Sequence, residues 1–159
     1  MDSLPPVVIL LIAAAIVPLL PAIVRPWAFI VGPLLAFLQI FLVLHDGDTA
    51  HLGWLNLTLV PMHVTELNEV WATIFALVGI VGGVFALHVR DRIQQSAALA
   101  YLGSALGVVL AGDLFSLIVF WEIMAVTSMA LIMQGGREGS KAAAMRYLFV
   151  HVVGGSLLL

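Results

Sequence analysis

Cysteine is absent from the 159 residues. That excludes a disulfide framework, a thiolate metal centre and thiol catalysis. Charge is almost as scarce, since Asp, Glu, Lys and Arg make up 9% of the chain, against about 25% in a soluble domain. The 6 Lys and Arg lie scattered through short links and build no basic face, which excludes a nucleic-acid interface. There is no nucleophile elbow, no metalloprotease helix and no phosphate loop. No catalytic residue, no metal site and no cofactor site is expected. Met1-Asp2-Ser3 also lacks the positive region of a secretory signal, so the first apolar run is expected to be retained.

What the chain has in excess is apolar surface. Hydrophobic residues make up 63% of it and the mean hydropathy is +1.18. Such a composition predicts an all-α integral membrane protein, one transmembrane domain of about six helices. The spans are expected at 7–23, 27–44, 71–89, 97–111, 114–133 and 142–159. Pro18 and Pro21 loosen the first, and Arg25-Pro26 turns it into the second. The glycine pairs Gly79/Gly83 and Gly103/Gly107, each one turn apart, predict close helix packing in the third and fourth. Gln94 to Ser96 are expected to extend the short fourth span into the headgroup region.

Residues 45–70 form the long polar segment, an expected external loop. The alternation from Trp54 to Val60 predicts a short strand inside it. His45, Asp46, Asp48 and His51 bring two imidazoles and two carboxylates close in sequence. Their spacing fits neither a calcium loop nor a zinc signature, so a solvated turn is expected there.

The fifth span holds an acid where acids are rare. Glu122 lies roughly 12–16 Å from either end of Asp113–Met133 at about 1.5 Å per residue. A carboxyl at that depth costs at least a few kcal/mol and is a functional-site hypothesis by default. Phe120, Trp121, Ile123 and Met124 are expected to give it no hydrogen bond. The alternative role is a protonated glutamate that bonds a neighbouring helix. His151 on the sixth span is the nearest candidate partner. Counted inward from the same side, Glu122 is about 16 Å deep and His151 about 13 Å. Carboxylate and imidazole at midplane are the groups of a membrane proton relay; a neutral histidine bonded to a backbone carbonyl is the alternative. Tyr147, one turn from His151, is a bonding candidate for it in either case. Thr127 and Ser128 point away from Glu122 by roughly 140° and 240° at 100° per residue. His88, close to Arg90, is a candidate proton-uptake point, with an interfacial anchor as its other reading.

Gly112 to Ser128, GDLFSLIVFWEIMAVTS, resembles the antiporter-like subunits shared by Mrp-type Na+/H+ antiporters (their D-type subunits), membrane-bound hydrogenases and respiratory complex I. Their fifth helix carries a Phe-Trp-Glu core, matched by Phe120, Trp121 and Glu122. Lys141 to Leu159 is similar to their sixth helix. The resemblance implies proton translocation through Glu122, working with membrane-buried lysines on later helices that would lie beyond Leu159. It therefore implies the amino-terminal part of such a subunit, whether a split gene product or a truncation. Expected partners are other membrane subunits of a multisubunit antiporter or redox-driven complex, including a chain that supplies those helices and lysines. H+, and Na+ in an antiporter, would be the ions, and a bacterial inner membrane the location. A non-conducting assembly or spacer subunit of the same kind of complex is the alternative.

With six spans, Arg25, Arg90, Arg92, Arg137, Lys141 and Arg146 fall on one face. Asp2, Asp46, Asp48, Glu66, Glu69 and Asp113 fall on the other. The positive-inside rule then predicts an amino terminus outside and the basic side in the cytoplasm. The cysteine-free sequence makes the check direct. Single cysteines at Gly47 and Gly136 should react with an impermeant thiol reagent from opposite faces of sealed vesicles. Reaction from the same face would defeat the six-span topology.

Overall fold

Proline decides where the first helix stops. In the computed structural model, which describes residues 4–54 and 57–158, α1 spans Pro6–Ile16 and then tightens into a single 3-10 turn, Val17–Leu19. Pro18 lies in that turn and Pro21 in the next, where the missing N–H and the fixed φ end regular helix. The segment is thus shorter than the expected 7–23 and too short by itself for a ~30 Å core. Five longer helices follow: α2 (Arg25–Leu42), α3 (Glu66–Phe85), α4 (Arg92–Leu110), α5 (Leu114–Met133) and α6 (Ser140–Leu158). α4 begins ahead of the expected span, with Gln94 to Ser96 inside it, because Asp91 caps it by accepting from the Gln94 N–H at 2.7 Å.

The described residues thus form six α-helices. Four of them, α2, α3 with its 3-10 extension to His88, α4 and α5, are long and apolar enough to cross a membrane. α6 has the length, but Lys141, Arg146 and His151 dilute its apolar run. The protein is an all-α, multi-pass membrane protein with one small sheet among the described residues.

That sheet is larger than the expected single strand. β1 (Thr49–Trp54) and β2 (Leu57–His63) pair antiparallel, Thr49 opposite His63 and Gly53 opposite Thr58, with an irregularity between Ala50 and Leu52. The expected strand Trp54–Val60 is thus divided, since Trp54 ends β1 and pairs with Leu57, which begins β2. Leu55 and Asn56, which belong to the expected strand, lie outside the described residues, as does Asp2 of the acidic face. The turn before the sheet is built by Gly47 at φ +87° and by Asp48, which accepts from the His45 N–H at 3.1 Å.

α4 is the hub. It packs on α1, α2, α3 and α5, whereas α6 packs chiefly on α5. The paired glycines explain how one helix serves several neighbours. A Cβ on Gly103 would meet Leu10 of α1 at 3.0 Å, and one on Gly107 would overlap the Phe120 ring of α5 at 2.4 Å. Gly79 likewise faces Leu102 of α4, while Gly83 faces Ile30 of α2. Each pair therefore divides between two neighbours and does not form a single seam. Around α4 a continuous core forms from Val7, Leu10 and Val17 of α1 and its 3-10 turn, Ile40 of α2, Ala72 and Ala76 of α3, and Leu99 and Leu106.

Side chains staple the loops to the helix ends. On one side the Arg25 guanidinium donates to the carbonyls of Arg90 (3.0 Å) and Leu20 (3.1 Å), joining the α1–α2 and α3–α4 links. On the other, Asp113 caps α5 through the Ser116 N–H (2.8 Å) and also accepts from the Val60 N–H of β2 (2.6 Å). Gly112 completes this junction by donating to the Val60 carbonyl at 2.9 Å, and a Cβ on it would strike Val60 at 2.6 Å. Partial desolvation acts to raise the Asp113 pKa. The Ser116 hydroxyl and the N–H groups of Ser116, Val60 and Phe115 outweigh it, so the carboxyl sits below its ordinary 3.8.

A group with a depressed folded pKa stabilises the fold above its unfolded value, and that contribution is lost as pH falls through the folded value. The hairpin–α5 junction should therefore weaken only in acid, below about pH 4. Asp113→Ala should cost about 1 kcal/mol of helix stability at neutral pH. Asp113→Asn keeps a capping oxygen and should flatten the acid limb of a thermal-unfolding series. An unchanged acid limb in Asp113→Asn would reject this assignment.

Candidate functional site

The site is built by α5 and α6, which run side by side from the Gln134–Gly139 link. α5 is apolar nearly throughout, and its hydroxyls are kept at home. Thr127 donates to the Ile123 carbonyl at 2.8 Å, and Ser128 lies within bonding distance of the Met124 carbonyl at 2.7 Å. Such i−4 bonds satisfy a polar group that lipid cannot. Ser128 also meets the Tyr147 hydroxyl of α6 at 2.9 Å. The two helices are thus joined by a hydroxyl pair near their shared link.

Deeper along the same seam lie the residues singled out from the sequence. The Trp121 ring packs against the His151 ring, centroids 5.1 Å apart, and His151 packs on Tyr147 at 5.7 Å. Tyr147 contacts His151 by ring packing and does not bond it; its hydroxyl goes to Ser128. Trp121 Nε1 and His151 Nε2 are both buried and have no hydrogen-bond partner among the described residues. Glu122, adjacent to Trp121, is half-buried. No described side chain hydrogen-bonds or ion-pairs with its carboxylate. One turn beyond His151, Gly155 brings the α6 backbone against it: a Cβ there would lie 2.9 Å from Glu122 Oε1 and 3.6 Å from Trp121 Nε1.

The structure therefore brings Glu122, Trp121, His151 and Gly155 together at one seam. Two of these are not legible as site residues in the sequence. Trp121 reads there as an apolar neighbour with no bond to offer, although its indole carries a buried N–H. Gly155 reads as packing or a turn, although its spacing of four from His151 puts both on one helix face.

His88 does not join this group. It lies in the 3-10 turn Ala86–His88, with Nδ1 2.9 Å from the Phe85 carbonyl, at the end of a helix that packs against α2 and α4. His45, Asp46, Asp48 and His51 do not converge either. Thr49 Oγ1 lies 3.2 Å from His51 Nε2 inside β1, and among the described residues no three His, Asp or Glu side chains could hold a metal ion.

Comparison with known proteins adds the relatives. No protein-family model matches the chain. It is 26% identical over 108 residues to the D-type subunit of a Na(+)/H(+) antiporter from Alkalihalophilus pseudofirmus, covering 62% of this chain and 22% of that one. It is 42% identical over 65 residues to the A/B-type subunit of a probable K(+)/H(+) antiporter from Rhizobium meliloti, covering 36% and 6%. In fold it matches a chain of an archaeal respiratory membrane complex, the membrane-bound sulfane sulfur reductase. The TM-score is 0.77 at 23% identity, over 95% of this chain and 34% of that one. The chain thus spans about a fifth of the first relative and a third of the structural one. In sequence it is thus similar to subunits of cation/proton antiporters, and in fold to a chain of a respiratory membrane complex.

The Ser128–Tyr147 pair can be weighed directly. Interhelical hydrogen bonds in membranes average about 0.6 kcal/mol. Tyr147→Phe should cost about that much in unfolding from detergent micelles, with helix content unchanged. A loss above about 2 kcal/mol would exceed the largest such bonds, about 1.7 kcal/mol, and mean that the hydroxyl does more than join the helices.

Proposed function

We propose that this chain is the amino-terminal part of an ion-translocating subunit, working in a larger membrane complex with Glu122 in the proton path. The observation that carries the proposal is a carboxyl in the middle of a span, with no side-chain partner among the described residues, beside two buried ring nitrogens. A carboxylic acid at that depth is stable when neutral or paired. One that alternates between the two as a nearby charge comes and goes is a proton carrier. His151 is its relay partner within this chain. A buried lysine from a companion chain is the expected counter-charge. H+ is the translocated ion, with Na+ as the exchanged cation where the complex is an antiporter. The amino terminus and the hairpin face outward, and the Arg- and Lys-bearing side faces the cytoplasm of a bacterial inner membrane.

A second reading, a non-conducting assembly subunit, is favoured by α6 itself. It packs chiefly on one neighbour and exposes Phe149 (71%) and Leu157 (82%), as a helix awaiting a partner would. For His88, the bond to Phe85 at the end of α3 favours the interfacial anchor over proton uptake.

Glu122→Gln keeps the shape and removes the titration. It should leave the complex assembled and abolish pH-gradient formation by membranes that carry it. Glu122→Asp withdraws the carboxyl by about 1.5 Å, beyond good hydrogen-bond length, and should do partial damage. His151→Ala should be milder than either if a companion lysine is the main partner. Full gradient formation by an assembled Glu122→Gln complex would move the chain to the assembly class.

A further inference from the structure

Gly155 and Trp121 carry an inference that deepens the reading above and rests on it only for its consequence in transport. We propose that Gly155 is a positioning residue that holds the Glu122 carboxyl in reach of the Trp121 indole N–H, with His151 Nε2 as the complementary acceptor. The geometry is specific. The Cβ position of Gly155 is within 4 Å of both Glu122 Oε1 and Trp121 Nε1, so any side chain there displaces the carboxyl, the indole or α6 itself. The preceding glycine, Gly154, meets nothing within 4 Å of its own Cβ position, so of these two glycines it is Gly155 that makes the close approach.

The chemistry gives the gap its meaning. Leaving a buried donor or acceptor unpaired costs roughly 1–3 kcal/mol, and two such atoms sit at this seam. An indole Nε1 can only donate. A neutral imidazole protonated on Nδ1 presents a lone pair at Nε2. An ionised carboxylate only accepts, and a protonated one also donates. Glu122 is thus a nearby group able to bond either nitrogen, ionised to Trp121 and protonated to both. Both nitrogens are sealed within this chain, so a companion chain cannot satisfy them without moving α6. The pair supplies each protonation state of the acid with a partner, and Gly155 keeps the carboxyl within range of it.

The test reads the carboxyl itself. In the purified full-length chain in nanodiscs, infrared difference spectra between acidic and neutral pH should contain a protonated-carboxyl C=O band that disappears in Glu122→Gln. Trp121→Phe keeps a ring and removes the N–H. It should move that band to higher frequency, as a carbonyl oxygen loses a donor. Gly155→Ala should move or split the same band, and Gly154→Ala should leave it in place, all with unchanged helix content. Should Gly155→Ala fail to fold, Trp121→Phe decides alone. An unmoved band in Trp121→Phe, or an equal shift in Gly154→Ala, overturns the proposal. A shifted band in protein whose Glu122→Gln complex still builds a gradient would leave the positioning intact and refute the proton path.

Discussion

Backbone approach is the constraint on which the rest of this structure depends. Lipid is as apolar as leucine, so helices in a bilayer gain little by hiding apolar surface from it. They associate where small residues let one backbone come close to the next. α4 concentrates such residues, with Gly103, Ser104, Ala105 and Gly107 close together, and it is the span most enclosed by the others. Gly103 admits Leu10 on one side and Gly107 admits Phe120 on another. Phe120 in turn sits directly before Trp121 and Glu122. The depth and facing of the acid are set two contacts away, at a glycine on the hub helix.

The helix ends obey a second demand. Backbone groups freed at a link need a partner, and at a membrane surface water and side chains compete to supply it. Here two charged side chains do so on opposite sides, Arg25 for the carbonyls of one pair of links and Asp113 for the N–H groups of α5 and β2. Each binds backbone from distant parts of the chain. They hold the loops in register with the bundle through charge-assisted bonds to backbone groups.

α6 is attached differently from the other helices. It meets α5 through a hydroxyl pair, tilted rings and one glycine, and it meets no other described helix closely. A polar seam of this kind tolerates small changes in bonding more readily than an interlocked apolar one, because hydrogen-bond partners can be exchanged at little net cost. The acid lies on this polar seam between α5 and α6, whereas the contacts around α4 are set by closely approaching glycines.

How much of this is legible in the chain follows from which physical signals are local. Apolar run length and proline placement reveal six helices, the early end of α1 excepted, because span length and helix breaking depend on neighbouring residues alone. Segregation of Lys and Arg separates the two sets of links, and the isolated acid marks Glu122. β1 is not legible, since strand pairing there comes from backbone bonds to a partner. The glycine pairs are recognisable as packing devices, but which neighbour each one faces cannot be read, because adjacent turns of one helix look toward different helices. Tyr147 is within reach of His151 on helical spacing, yet it bonds Ser128, a choice made by the crossing of α5 and α6. The sequence alone determined that an acid sits mid-span with an imidazole at similar depth. Only the tertiary structure decided that a tryptophan nitrogen and a glycine complete the cluster, since their closeness exists only once two helix backbones touch.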